Sequence, residues 1–153
     1  MSPSAPRNRK IVCMFLTVGL ALALAGCRAL DQVASTLDGG RLTFLACQSF
    51  SASEINAYVR PVQSTDSLKL VWSIRGNGTF GPTTPIVYGI APDGWDVKVE
   101  PVPLDVATTQ IQLEMSGFNN GSNRLKSWNV SGDKLREAQW LDEGGKLETQ
   151  PCT

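Results

Sequence analysis

After Gly40 the apolar residues of this chain alternate instead of recurring at helical spacing. The clearest row is Leu68, Leu70, Trp72 and Ile74, with Lys69, Val71, Ser73 and Arg75 between them. A two-residue period sets one row of side chains against a core and the other in water. The same pattern runs through Leu42, Phe44 and Ala46, through Ile55, Ala57 and Val59, through Trp95, Val97 and Val99, and through Ile111, Leu113 and Met115. Leu125, Trp128 and Val130 mark a less regular strand, and 135–141 and 146–150 close the chain. Between the rows lie hairpin signals: Pro92-Asp93-Gly94, Asn119-Asn120-Gly121-Ser122 and Glu143-Gly144-Gly145. Asn-Gly supplies the positive φ angles of a tight turn. The longest breaks are 63–66 and 76–84. Short strands at such spacing predict an all-β fold. Its form is an antiparallel β-sandwich of immunoglobulin-like or transthyretin-like size, spanning residues 41–153.

The N-terminus is built differently. Arg7, Arg9 and Lys10 precede an uncharged apolar run from Ile11 to Ala25, and small residues follow. This is the layout of a secretory signal peptide. A membrane-spanning helix needs about 20 apolar residues, and Arg28 closes the run before that. The segment Leu24-Ala25-Gly26-Cys27 resembles the lipobox of bacterial lipoproteins. The resemblance implies cleavage between Gly26 and Cys27, a diacylglycerol thioether on the Cys27 sulfur, and often acylation of the new amine. It divides the chain into a signal at 1–26, a lipidated cysteine and short tether at 27–40, and the sandwich. Leu30, Val33 and Leu37 have helical spacing, so a short helix is allowed in the tether. One acyl chain holds a protein only marginally, whereas two or three hold it firmly. Arg28 stands where an Asp would favour inner-membrane retention in the Gram-negative version of the resemblance. The implied address is therefore the outer membrane there, or the outer face of the plasma membrane in a Gram-positive cell. An ordinary cysteine and an uncleaved signal anchor are the alternatives for Cys27. The stretch from Val87 to Trp95 is similar to a strand–turn–strand segment of small envelope lipoproteins, which implies no activity.

Cys13 would leave with the signal. Cys47 and Cys152 remain, and export would place them in an oxidising compartment, where an even pair most simply forms one disulfide. Two separate buried thiols are the alternative. No Cys-x-x-Cys spacing points to redox catalysis. Fourteen basic and fourteen acidic residues cancel in the whole chain. Losing Arg7, Arg9 and Lys10 with the signal leaves 11 against 14 acidic residues, a net charge of −3. That balance argues against nucleic acid and against docking on anionic lipid by charge. There is no histidine, which removes His-based triads, bases and metal ligands. No cofactor or metal is implied.

Some residues remain as candidates for chemistry or contact. Ser131-Gly132-Asp133-Lys134 has the Ser-x-x-Lys spacing of penicillin-binding enzymes, but those place it at a helix opening in a larger α/β domain. Here a surface turn is expected. Glycoside hydrolysis needs two facing carboxylates. Asp93, Asp96, Glu100, Asp142 and Glu143 are the acids available for it, although Asp93 is more simply a turn former and Asp96 and Glu100 belong to the wet face of a strand. The four tryptophans are expected in the core, with Trp72 and Trp95 the clearest and Trp140 the least clear. Asn77, Asn120 and Asn129 begin glycosylation-like triplets that read as turn chemistry. Phe80 stands in Gly76–Thr84, a polar Gly/Pro stretch read as a loop, and is the candidate contact residue; the alternative is that it folds back as a plug over the core. Together these features predict a membrane-anchored, non-catalytic envelope lipoprotein for binding, assembly or structure, with an envelope protein as partner. The alternative is a small cell-wall-directed enzyme using carboxylates.

Overall fold

The computed structural model describes residues 33–119 and 122–152. Cys27 and the signal segment lie outside them. The described residues form ten strands: β1 (Val33–Asp38), β2 (Arg41–Ala46), β3 (Phe50–Pro61), β4 (Lys69–Phe80), β5 (Ile86–Val87), β6 (Asp96–Val99), β7 (Thr109–Asn119), β8 (Ser122–Ser131), β9 (Trp140–Leu141) and β10 (Leu147–Glu148). They make two five-stranded antiparallel sheets, ordered β10-β9-β1-β2-β5 and β6-β4-β3-β7-β8. The all-β sandwich expected from the alternation is the observed fold.

The second sheet carries most of the core. Its inward row includes Ile55, Ala57, Trp72, Ile74, Ile111, Leu113 and Met115, all fully buried. The register lines them up: Ile55 faces Ile74 and Met115, and Ala57 faces Trp72 and Leu113. Phe44 of β2 is the large residue buried with them from the first sheet. Between Ala57 and Tyr58 the β3–β4 register slips, and Val71 is the additional residue on β4. A bulge of this kind resets the alternation. Leu70 consequently pairs with Tyr58, on the outward row, while Val71 joins Trp72 in the core. The inward placement expected for Leu70 and the outward one for Val71 are corrected by this bulge, whereas Ser73 keeps its outward register opposite Asn56 and is buried all the same.

Part of the expected tether belongs to the domain. Val33, Ser35 and Leu37 lie in β1, paired residue for residue with β2 from Val33↔Ala46 to Asp38↔Arg41. The helical spacing was coincidental, and Gly39 and Gly40 close a two-residue hairpin. Their φ angles of +56° and +77° are those of the tight turn whose twist matches flanking strands. Both faces of this hairpin are buried, including Ala34, Thr36, Thr43 and Leu45 on the side away from the core row. The hydroxyl of Thr36 donates to the Leu37 carbonyl at 3.3 Å, and buried Ser35 donates to the Leu141 carbonyl at 3.4 Å.

The break expected at 76–84 is also shorter than the sequence suggests. Gly76 to Phe80 continue β4. The Trp95 ring lies across Gly76 and Gly78, and a Cβ on Gly76 would meet it at 2.5 Å. The two glycines are a bed for an indole, not a loop. Another close approach occurs at Gly132, where a Cβ would stand 1.8 Å from the Val106 carbonyl oxygen.

Cys47 and Cys152 are bonded, with Cα atoms 5.2 Å apart and a sequence separation of 105. Closing a loop of ~100 residues stabilises a fold by about 4–5 kcal/mol in the chain-entropy account. Replacing both cysteines by serine is expected to lower unfolding stability by about that amount in a denaturant titration, with the larger loss where the C-terminal segment covers β1 and β2. Gly132→Ala is expected to lose about 3 kcal/mol by backbone clash. Gly94→Ala, in open space but at φ +79°, is expected to lose only about 1–2 kcal/mol.

Candidate functional site

Phe80 is the sequence candidate that the fold relocates. It ends β4, is 2% exposed, and meets the Trp95 ring edge-on at 5.5 Å. It is a core residue, so the contact-loop expectation is corrected: the strand runs through the glycines that suggested a loop. Cys27 lies outside the described residues. The pairing of Cys47 with Cys152 is as expected. Trp72 is fully buried with its ring edge-on to Tyr88 at 5.5 Å, and Trp128 is buried. Trp95 is half-buried, across its glycine bed.

The polar candidates gather at one place. A cleft of about 230 Å³ opens between β8 and the turn joining β9 to β10. Asn129, Ser131, Lys134, Asp142 and Glu143 line it, and Ser35 and Trp128 reach it from the core. Gly132–Lys134 is a three-residue 3-10 turn. The Ser131 hydroxyl donates to the Asp133 carboxylate, which engages the proton that a Ser-Lys nucleophile would have to surrender. The turn reading of this motif is therefore the one its geometry supports. Asp142 accepts from the Lys146 main-chain N–H at 2.7 Å and so shapes the β9–β10 turn. Asp142 and Glu143 sit side by side on that turn. Asp93, Asp96 and Glu100 lie away from this cleft, and Asp96 pairs with Lys98 at 3.2 Å. Among the described residues no group of three or more acidic or cysteine side chains could hold a metal ion. This cleft offers hydroxyls, amides and charges of both signs.

A second, more apolar cleft of about 470 Å³ lies over the outer side of the β1–β2 hairpin. Its floor is Thr36, Thr43 and Leu45, and its walls are Trp140, Pro82, Pro85 and Pro151. Sequence reasoning left Trp140 undecided because β9 is only two residues long and gives no period to read. The cleft beside β8 was missed as well. Its one sequence signal is Leu125, an apolar residue in the strand row that is 66% exposed.

The wet face of the second sheet carries its own electrostatics. Glu54 accepts from Asn56 Nδ2 at 2.9 Å and from Arg75 Nη2 at 2.8 Å. The Asn56 bond first, and the Arg75 bond next, hold its carboxyl below the usual glutamate range. Burial, then the Glu114 charge, pushes the Tyr58 phenol up. Burial also raises Tyr88, whose hydroxyl donates to the Val102 carbonyl at 2.9 Å. No protein family, no curated protein and no solved structure matches the chain.

Because the folded carboxyl of Glu54 is the stronger acid, its contribution is present above the unfolded glutamate pKa. It fades as pH falls through the depressed folded value. The pair is partly exposed, so the contribution is about 0–1 kcal/mol. Glu54→Gln is expected to cost that much at neutral pH and nothing in strong acid, read from paired denaturation curves across the acid range.

Proposed function

We propose that this chain is a lipid-anchored protein of a bacterial envelope whose sandwich domain binds or organises an envelope partner without catalysing a reaction. The observation that carries the proposal is Leu24-Ala25-Gly26-Cys27 directly behind a basic start and an uncharged apolar run. The Cys47–Cys152 disulfide supports it, because such bonds persist outside the reducing cytosol. Five residues separate Cys27 from Val33, the first residue of β1. Fully extended, that link spans at most roughly 20 Å. The domain would therefore stay close to the bilayer, and the lipid, not a basic patch, would hold it there. The cleft beside β8 suits a binding role: its polar groups converge, while its two neighbouring carboxylates stand on one turn and not across a bond to be cut.

Mass spectrometry of the protein taken from membranes tests the anchor. The expected mature chain starts at Cys27 and carries a diacylglyceryl mass, with or without an added acyl group. Cys27→Ala is expected to accumulate as uncut precursor. An unmodified Cys27, or an intact bond between Gly26 and Cys27, overturns the proposal.

A further inference from the structure

The two sheets have four edges, and they are not alike. β5 and β10 are two residues long and β6 is four, with Asp96 and Lys98 on it. Short or charged edges of this kind discourage pairing with another chain. β8 is ten residues long and contains no proline. Among the described residues no strand pairs with its outer side.

The register tells which main-chain groups point that way. Asn119 stands opposite Ser122 with two residues between them. A connection of that length makes the pair a hydrogen-bonded one, and bonded pairs then alternate along the ladder. Lys126, Trp128 and Val130 exchange bonds with β7. Leu125, Ser127 and Asn129 turn their N–H and C=O outward. Their side chains are exposed and uncharged, so nothing on that row repels an added strand.

The space along this edge is already shaped. The 230 Å³ cleft continues into one of about 300 Å³, and the two share Trp128 and Glu143. Together they follow β8 from Leu125 to Ser131, with the β9–β10 turn as the opposite wall. A second copy of β8 would not fill this slot. Its own inward residues, Trp128 and Val130, are buried in its own core. A foreign segment has inward side chains to spare. The ionised groups lining the slot are Lys126, Lys134, Asp142 and Glu143, charges that balance, so main-chain pairing and not charge selects the segment.

We propose that β8 and its cleft form a docking slot for an extended peptide segment of a partner protein. The segment adds as a sixth strand to the second sheet. This deepens the binding role argued above and rests on it, but it does not depend on the anchor.

The test uses the full-length mature protein in detergent micelles. The probe is an acetylated, amidated heptapeptide, Thr-Val-Thr-Lys-Thr-Val-Thr, with a central-glutamate version beside it. Hydrogen exchange followed by NMR is expected to show saturable protection of the amides of Leu125, Ser127 and Asn129, with those of Lys126, Trp128 and Val130 unchanged. The lysine and glutamate probes are expected to bind alike to within a few-fold. Ser127→Pro combined with Asn129→Pro removes two outward donors and no β7 bond, and is expected to weaken binding about tenfold or more. A probe N-methylated on alternate amides is expected to fail against the unaltered protein, which keeps the test independent of how the proline variant folds. Equal binding by the methylated probe overturns the proposal, as does protection elsewhere or none at saturating peptide. So does a probe-free dimer with the same three amides already protected. N-terminal mass spectrometry, read separately, reports whether the anchor fails.

Discussion

The β1–β2 hairpin must be covered on both sides, and much of the architecture follows from that requirement. On one side Phe44 packs into the core row of the larger sheet. On the other, Ala34, Thr36, Thr43 and Leu45 are buried although no second sheet lies there. Trp140, Pro82, Pro85 and Pro151 gather over that side, and the Cys47–Cys152 bond ties the end of the chain to the end of β2. The remaining strands of this sheet are two residues long. Their hydrogen bonds are too few to hold a sheet, so its integrity rests on burial and on the disulfide.

The larger sheet needs no such help, and it was the part that could be read from the sequence. Ile111, Leu113 and Met115 alternate without interruption, and so does the strand they form. The sequence misleads where backbone geometry changes phase without changing residue type. Nothing about Val71 announces a bulge, yet the bulge turns Leu70 outward and Val71 inward. Gly76-Asn77-Gly78 has the composition of a loop. Its glycines are there because the Trp95 ring occupies the space of their missing Cβ atoms, a long-range reason that no local pattern carries. Phe80 was misplaced by the same error. Asp38-Gly39-Gly40 did contain the missed signal, since two adjacent residues that tolerate positive φ are a hairpin mark. Read that way, the chain before it is a strand and not a helical tether.

Of the functional picture, the disulfide and the Ser131–Lys134 turn were legible because each depends on few residues close to known chemistry. The edge of β8 was not, because an open edge is a property of the whole strand order. The fold places a long unprotected edge beside a polar slot and shields the other edges by shortness or charge. Binding through main-chain groups suits such a chain, which has no histidine and a serine already bonded to Asp133.

The claim on which the smaller sheet rests is that Cys47 and Cys152 are joined in the protein as it is made. Thiol alkylation of protein taken directly from its native cells, with and without prior reduction, tests this. The account predicts that neither residue is labelled in unfolded but unreduced protein, and that both are labelled after reduction. Labelling of both before reduction would contradict it, leaving the β1–β2 hairpin without its tie.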